Sequence, residues 1–246
     1  EIREQKEEIE DKNQNILDSI TYAQRIQSAM LTPGDYIDGL FPERFILYLP
    51  RDIVSGDFYW MIDKDGKIIC VTADCTGHGV PGAMMSMMGM SYLNEITSKE
   101  HEIHSDEILN QLRHKIVTSL RQKGIEGESQ DGMDLALYII DVDQSVLEFS
   151  GAHLPLYLFR KSEVQILKPD KMPIGISSHL GTPFTRHTLT LEKGDVIYTF
   201  SDGFQDQFGG PKNKKFMIKR LRELFIEIHT KPMRQQKNIL KKRLDD

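Results

Sequence analysis

The chain has only two cysteines in 246 residues, Cys70 and Cys75. They stand five positions apart, on a strand-like stretch and the turn after it. A bridge there would distort the strand, so both are read as free thiols of a reducing compartment, which points to the cytoplasm. No apolar run approaches the roughly 20 residues that a spanning helix needs, and no signal-peptide pattern opens the chain. These residues therefore hold no membrane segment, although a longer parent protein could be anchored by segments elsewhere. Lysines and arginines are not clustered among aromatics, the formal charge is −6, and "KNKK" and "LKKR" are short and balanced by acids. A nucleic-acid partner is thereby excluded. There is no internal repeat, and the one loose stretch is "QKGIEGESQDG".

The first 33 residues contain no glycine and are rich in helix formers. Ile2, Ile9, Ile16, Ala23 and Met30 recur every seven positions, joined by Ile20 and Ile26. One narrow apolar seam on a polar helix is the mark of a coiled coil, and a homodimer through this helix is expected. The alternative is an amphipathic helix lying on its own domain, since Gln5, Lys12 and Ser19 make the early seam polar. Pro33 and Gly34 end the helix, dividing a linker of residues 1–34 from a domain of residues 35–246.

From about residue 45 the pattern changes to short strands: "RFILYL", "GDFYWMID", "KIICVTAD", "MDLALYIIDV", "SVLEFSGA", "PLYLFR", "EVQIL", "RHTLTL" and "DVIYTF". Turn pairs such as Asp65-Gly66 connect many of them, so pairing should be largely antiparallel. Helical patterns cover 81 to about 97, roughly 105 to 122, and the regions near 214–228 and 233–244. Strands with helices grouped between them indicate an α+β layered domain, not a parallel doubly wound sheet.

Three aspartates share one context. Asp74 in "TADCTGHG" and Asp202 in "TFSDGF" end apolar strands and are followed closely by glycine, and Asp57 in "SGDFYW" opens a strand. A lone strand-end aspartate is ordinarily a turn residue. If these strands are neighbours, however, three hard oxygen donors converge, and oxygen ligands without a Cys/His cluster favour Mg²⁺ or Mn²⁺. A pair of such ions roughly 4 Å apart activates water and clamps a phosphoryl group, so phosphoester hydrolysis is the natural chemistry. Gly77 and Gly79 let the backbone turn tightly after Asp74, and Pro81 suits the first turn of a helix whose free N–H groups favour anions. The methionines that follow are read as core filling.

Together, "PRDIVSGDFYW", "ADCTGHGVPGAMMSM", "FSGAHLPLYLFR" and "YTFSDGFQDQFGG", over about residues 45–216, resemble the PPM-type metal-dependent serine/threonine phosphatases, specifically the bacterial SpoIIE-like/RsbU-like branch. The preceding "ITYAQRIQSAMLTP" resembles the helical linker that joins sensor modules to this domain in that branch. The resemblance implies an αββα sandwich of two largely antiparallel sheets flanked by helices. It implies two Mn²⁺ or Mg²⁺ ions, with Asp74 bridging them, the backbone carbonyl of Cys75 as a further ligand, Asp202 on the other side, and Asp57 binding directly or through water. Metal-activated water would attack phosphoserine or phosphothreonine without a covalent enzyme intermediate. Arg51 is either a phosphate contact or a surface arginine. His78 is either a general acid or a stabiliser of the turn, and His153 in "GAHLP" is read as structural.

The resemblance further implies a phosphorylated STAS-domain anti-sigma-factor antagonist as partner, within a bacterial signalling protein. The family's last metal-binding aspartate, in an Asp-Asp-hydrophobic motif leading into a strand, has no clear counterpart, because Asp245-Asp246 follow a helical pattern. Truncation before that strand, weak metal occupancy and low activity are the corresponding expectations. A catalytically weak or inactive module acting as a dimeric scaffold is the competing reading, with an unrelated metal-dependent hydrolase behind it.

Overall fold

The computed structural model describes residues 1–99, 103–125, 130–161, 163–210 and 213–245. Helix α1 (Ile2–Met30) and a short α2 (Gly34–Leu40) precede the sheets. Strands β1 (Phe58–Lys64) and β2 (Lys67–Cys75) form a hairpin whose turn places Asp65 and Gly66 at positive φ. Helices α3 (Gly79–Lys99) and α4 (Ser105–Ser119) follow, then β3 (Met133–Asp141), β4 (Val146–Ala152), β5 (Leu156–Arg160), β6 (Glu163–Leu167), β7 (His187–Thr190) and β8 (Val196–Tyr198). A two-residue hairpin, β9 (Phe208–Gly209) with β10 (Lys214–Lys215), leads to α5 (Ile218–Ile228) and α6 (Met233–Asp245).

One sheet has the order β1-β2-β3-β4-β7 and the other β6-β5-β8, with antiparallel pairing throughout. The period-two alternation of each strand supplies the layers. On β2 and β3, Ile69, Val71, Ala73, Leu135, Leu137 and Ile139 face a core shared with α3 and α4. Between the sheets lie Ala136, Leu147, Phe149, Leu156 and Leu158. On the far side of β5, Tyr157 and Phe159 pack with Leu221, Phe225 and Ile228 of α5 and Leu240 of α6. The result is the αββα sandwich expected from the sequence.

The edge strand β1 is covered by the chain that follows α1. The Met61 N–H donates to Thr32 Oγ1 at 2.8 Å and the Asp63 N–H to the Tyr36 hydroxyl at 3.0 Å. These bonds satisfy donors that an edge would otherwise present to solvent or to another chain. Both cysteines are free and buried, as expected.

Some local expectations are corrected. Residues 45–49 of "RFILYL" form no strand, although Phe45 and Leu47 pack onto the α5 side of the second sheet. Their apolar alternation is met by side-chain burial, and their backbone joins no ladder among the described residues. The helix expected near 214 begins at Ile218: Phe216 N–H donates to Gln207 O and Met217 N–H to Gln205 O, and Met217 stands at φ 72°, outside helical space. Pro33, which ends the first helix as expected, directly precedes α2, whose Ile37 is fully buried. The loose stretch 122–132 lies partly outside the described residues, and its described part is neither helix nor strand.

The long N-terminal helix divides the two readings of its seam. Its last third packs on the domain, with Gln27 buried and Ala23 and Met30 half-buried. Its first two thirds are open, with Ile2, Ile9 and Ile16 exposed by 85%, 58% and 56%.

Candidate active site

Asp57 precedes β1, Asp74 is the penultimate residue of β2, and Asp202 follows β8 in the other sheet. The register Phe58↔Ala73 sets Asp57 beside Asp74. Across the layers, the Thr72 and Thr199 hydroxyls lie 2.7 Å apart, joining β2 to the segment leading into Asp202. The Ser201 hydroxyl then donates to Asp57 Oδ2 at 2.5 Å, and the Asp202 N–H donates to the Asp74 carboxylate. The structure thus brings the three sequence-identified aspartates together at one end of the sandwich.

Electrostatics follow from this crowding. Burial, the negative charges of Asp57 and Asp202, and a hydrogen bond shared with Asp57 push the Asp74 carboxyl up to about 8; the Asp202 N–H opposes the rise. No lysine or arginine counters them at Asp74, whose charged and hydrogen-bonding neighbours among the described residues are carboxylates and backbone alone. Three crowded carboxyl groups, with no cation acting on Asp74 among the described residues, are a donor set suited to a hard divalent ion. Among the described residues, no three His, Cys, Asp or Glu side chains close into a cage by themselves. The set is therefore open, as for an ion that keeps several waters and accepts backbone oxygen. A backbone oxygen is at hand in the Cys75 carbonyl, which lies 3.2 Å from where a Cβ on Gly56 would stand.

Three glycines make that approach possible. A Cβ on Gly82 would meet Gly77 O at 2.6 Å and Gly56 Cα at 3.0 Å, so the loop before Asp57, the turn after Asp74 and the start of α3 touch backbone to backbone. Gly77 and Gly79 take positive φ of 83° and 61°. Pro81 lies in the first turn of α3, and Met85 and Met90 are buried beneath the helix while Met84 is exposed.

A cleft of about 1310 Å³ opens between the sheets and is lined by Tyr48, Arg51, Asp57, Asp74, His78 and Asp202 among others. Arg51 is exposed there and has no hydrogen bond or ion pair among the described residues. His78 Nδ1 lies 3.0 Å from Asp52 Oδ2, tying the turn after β2 to the loop before β1. His153 lies outside the cleft lining and is paired with Asp134 at 2.8 Å. Asp245 closes α6, and Asp246 lies outside the described residues.

Sequence reasoning missed the supporting residues Gln27, Tyr48, Thr72, Thr199 and Ser201. The buried Gln27 side chain donates to Ser55 O at 2.6 Å and to Ser86 Oγ at 2.8 Å, and accepts from the Ser55 N–H at 3.0 Å. The Tyr48 hydroxyl donates to Asp57 O at 3.2 Å. Their only signal in the sequence is a polar residue inside an apolar pattern, visible for Thr72 in "CVTAD" and for Thr199 and Ser201 in "YTFSD".

The family described as Stage II sporulation protein E (SpoIIE) matches residues 64–246. Phosphoserine phosphatase RsbU of Bacillus subtilis (strain 168) is 27% identical over 157 residues, which are 63% of this chain and 44% of that protein. The chain thus spans less than half the length of this relative. The SiaA-PP2C domain of Pseudomonas aeruginosa is similar with a TM-score of 0.84 and 29% identity, covering 95% of this chain and 90% of that one. The PP2C phosphatase domain of SpoIIE from Bacillus subtilis, with a fragment of its regulatory domain, gives 0.61 at 19% identity over 78% and 53% of the two chains, a likeness of fold alone. No helix among the described residues is long and apolar enough to cross a membrane. With its αββα layers and its acidic cluster at the sheet ends, this chain belongs to the SpoIIE family and is a PPM-type, RsbU-like phosphatase domain of PP2C fold.

Proposed function

We propose that this domain hydrolyses phosphoserine or phosphothreonine on a partner protein, using a divalent cation and water, as the output of a bacterial signalling protein. The observation that carries the reading is the meeting of Asp57, Asp74 and Asp202 with no cation acting on Asp74 among the described residues. Their carboxylates and the Cys75 carbonyl would hold Mn²⁺ or Mg²⁺. The bound cation would supply an activated water and charge compensation for the phosphoryl oxygens. The chain's own groups do the rest. Ser201 orients Asp57, the Asp202 N–H orients Asp74, and the exposed Arg51 guanidinium is free to take the phosphate as a two-pronged donor. The His78–Asp52 pair favours the turn-stabilising role for His78 over proton transfer.

The partner reading, a phosphorylated STAS-domain anti-sigma-factor antagonist, is supported by the likeness to the phosphoserine phosphatase RsbU. The open seam of Ile2, Ile9 and Ile16 supports a homodimer through α1. The test is manganese-dependent hydrolysis of p-nitrophenyl phosphate by the protein beside its Asp74→Asn variant. Turnover that requires Mn²⁺ and disappears in the variant is expected. A parent without metal-dependent turnover would overturn the enzymatic reading in favour of the scaffold.

A further inference from the structure

The segment after Asp202 is tied back to it before it leaves the cleft. Asp206 N–H donates to Asp202 O at 2.9 Å, Phe216 N–H to Gln207 O at 2.9 Å and Met217 N–H to Gln205 O at 2.7 Å. Phe204 and Phe216, both half-buried, meet edge to face with their ring centroids 5.2 Å apart. The β9–β10 hairpin is thereby fixed to the loop that carries Asp202, with Phe208 opposite Lys215 in its register.

An open groove of about 520 Å³ lies against this hairpin, lined by Phe208, Asn213, Lys214, Lys215, Met217 and Arg220. It adjoins the cleft of the three aspartates. Asp206 and Gln207 line that cleft, and Lys215 Nζ, 2.7 Å from Asp206 Oδ2, stands on the rim between the two. Phe208 is 56% exposed and Met217 55%. Met217 stands at φ 72° and ψ 144°, a conformation nearly confined to glycine, and its N–H bond to Gln205 O holds it there. A single exposed apolar side chain needs no explanation, but two in one groove beside a candidate active site mark a contact surface.

The groove is also basic. Between Asp206 and Glu223 the chain has six lysines and arginines and no acid, in a protein whose formal charge is −6. Lys214, Lys219 and Arg220 are exposed and have no ion pair among the described residues. The first turn of α5 holds no acidic residue, so its N-terminus adds partial positive charge at the same place. The adjoining cleft is the reverse, with Asp57, Asp74 and Asp202 in its lining. A phosphoseryl group carries about −1.5 to −2 charges, and an anionic partner approaches such a cleft against its field. Basic side chains just outside the aspartates offset that repulsion and steer the encounter. A lipid surface is flat, whereas this patch is concave and runs on from the cleft, which favours a segment of polypeptide.

We propose that this groove seats an acidic, apolar segment of the phosphoprotein partner next to its phosphorylated residue, a docking role that rests on the phosphatase reading above. Carboxylates of the partner pair with Lys214 and Arg220, and an apolar side chain packs on Phe208 and Met217. Binding there holds the phosphorylated side chain at the three aspartates and lowers KM without changing the chemistry at phosphorus.

The test uses two phosphoserine peptides of equal length, one flanking the phosphoserine with glutamate and leucine, the other with lysine and serine. The third substrate is p-nitrophenyl phosphate, which is too small to fill both cleft and groove. The double variant Lys214→Glu with Arg220→Glu reverses the charge, and Phe208→Ser separately removes apolar contact; melting temperatures show whether each variant is folded. With Mn²⁺, the parent should prefer the glutamate–leucine peptide by about 10-fold in kcat/KM. Charge reversal should abolish that preference through KM, with p-nitrophenyl phosphate turnover within about 2-fold of the parent. Phe208→Ser should lose about 5-fold on the glutamate–leucine peptide alone. Independently of turnover, fluorescence anisotropy in the presence of chelator should show the unphosphorylated glutamate–leucine peptide binding about 10-fold more weakly to the charge-reversed variant. No preference between the peptides in the parent, or equal losses on all three substrates in the variants, would overturn the docking role while leaving the phosphatase reading intact. Sedimentation of the parent with phosphatidylserine vesicles, abolished by the charge reversal, would overturn it in favour of a lipid surface. A parent with no manganese-dependent turnover on any of the three would remove the phosphatase reading and substrate docking with it.

Discussion

Gln27 on α1 and Ser55 on the loop before β1 are joined by two hydrogen bonds, with the Gln27 amide donating to Ser55 O at 2.6 Å and accepting from Ser55 N–H at 3.0 Å. Both residues are buried, and Ser55 stands two residues before Asp57. The amide therefore acts as a substitute strand partner for a loop that has no ladder of its own. Gln27→Ala would leave the buried Ser55 N–H unsatisfied and its C=O with only the Ser86 hydroxyl at 3.3 Å, at a cost of about 2 kcal/mol. A melting temperature lower by about 4–8 °C is expected for a chain of this size. Calorimetry measures it directly, and a melting temperature within 1 °C of the parent, taken as about the precision of the method, would show that the clasp contributes nothing.

The backbone contact of Gly56, Gly77 and Gly82 allows no side chain. Gly82→Ala places a Cβ 2.6 Å from Gly77 O, a backbone atom that cannot rotate away, so a loss of about 1–3 kcal/mol is expected together with weaker metal-dependent activity. Gly39, in α2, has nothing within 4 Å of its added Cβ, and Gly39→Ala should be neutral or stabilising by up to about 1 kcal/mol. Urea unfolding of the two variants side by side tests the contrast.

In metal-free protein, Asp74 makes stability fall as pH rises. Its folded carboxyl titrates near 8 against an ordinary value of 3.8. Below 3.8 the folded and unfolded forms are both protonated and no difference arises. Between 3.8 and about 8 the folded protein retains a proton that the unfolded chain releases, and stability declines; above about 8 the decline is complete. Asp74→Asn escapes the decline. In the presence of chelator, its melting temperature relative to the parent should increase steadily from pH 5 to pH 9, and a difference independent of pH would contradict this origin.

The seam of α1 predicts an oligomeric state. Ile9 and Ile16 are exposed by 58% and 56% and lie one heptad apart. Replacing both by aspartate should convert a dimer into monomers by light scattering, with the melting of the αββα layers unchanged, because neither side chain packs on the domain. A dimer that survives both substitutions would place the interface elsewhere.

Local periodicity was enough to locate most elements. The alternation in "MDLALYIID" and "LYLFR" appears directly as β3 and β5, and the strand-end positions of Asp74 and Asp202 were visible from the glycines that follow them. Residues 45–49 show the limit of such patterns, because alternation reports burial on two faces and says nothing of a backbone partner. Residues 214–217 show another, since a helix-favouring composition yielded to two backbone hydrogen bonds with Gln205 and Gln207.

By itself the sequence determined the layered α+β class, the acidic residues and the heptad seam, because each is written in spacing over a few turns or one strand. The tertiary structure alone decided that Ser201 would hold Asp57 across 144 positions, that Thr72 would meet Thr199 across 127, and that Gln27 would be buried against a loop 28 residues away. Those contacts depend on which strand ends the two sheets bring together, and a polar side chain carries no mark of its distant partner until packing has removed the water that would otherwise satisfy it.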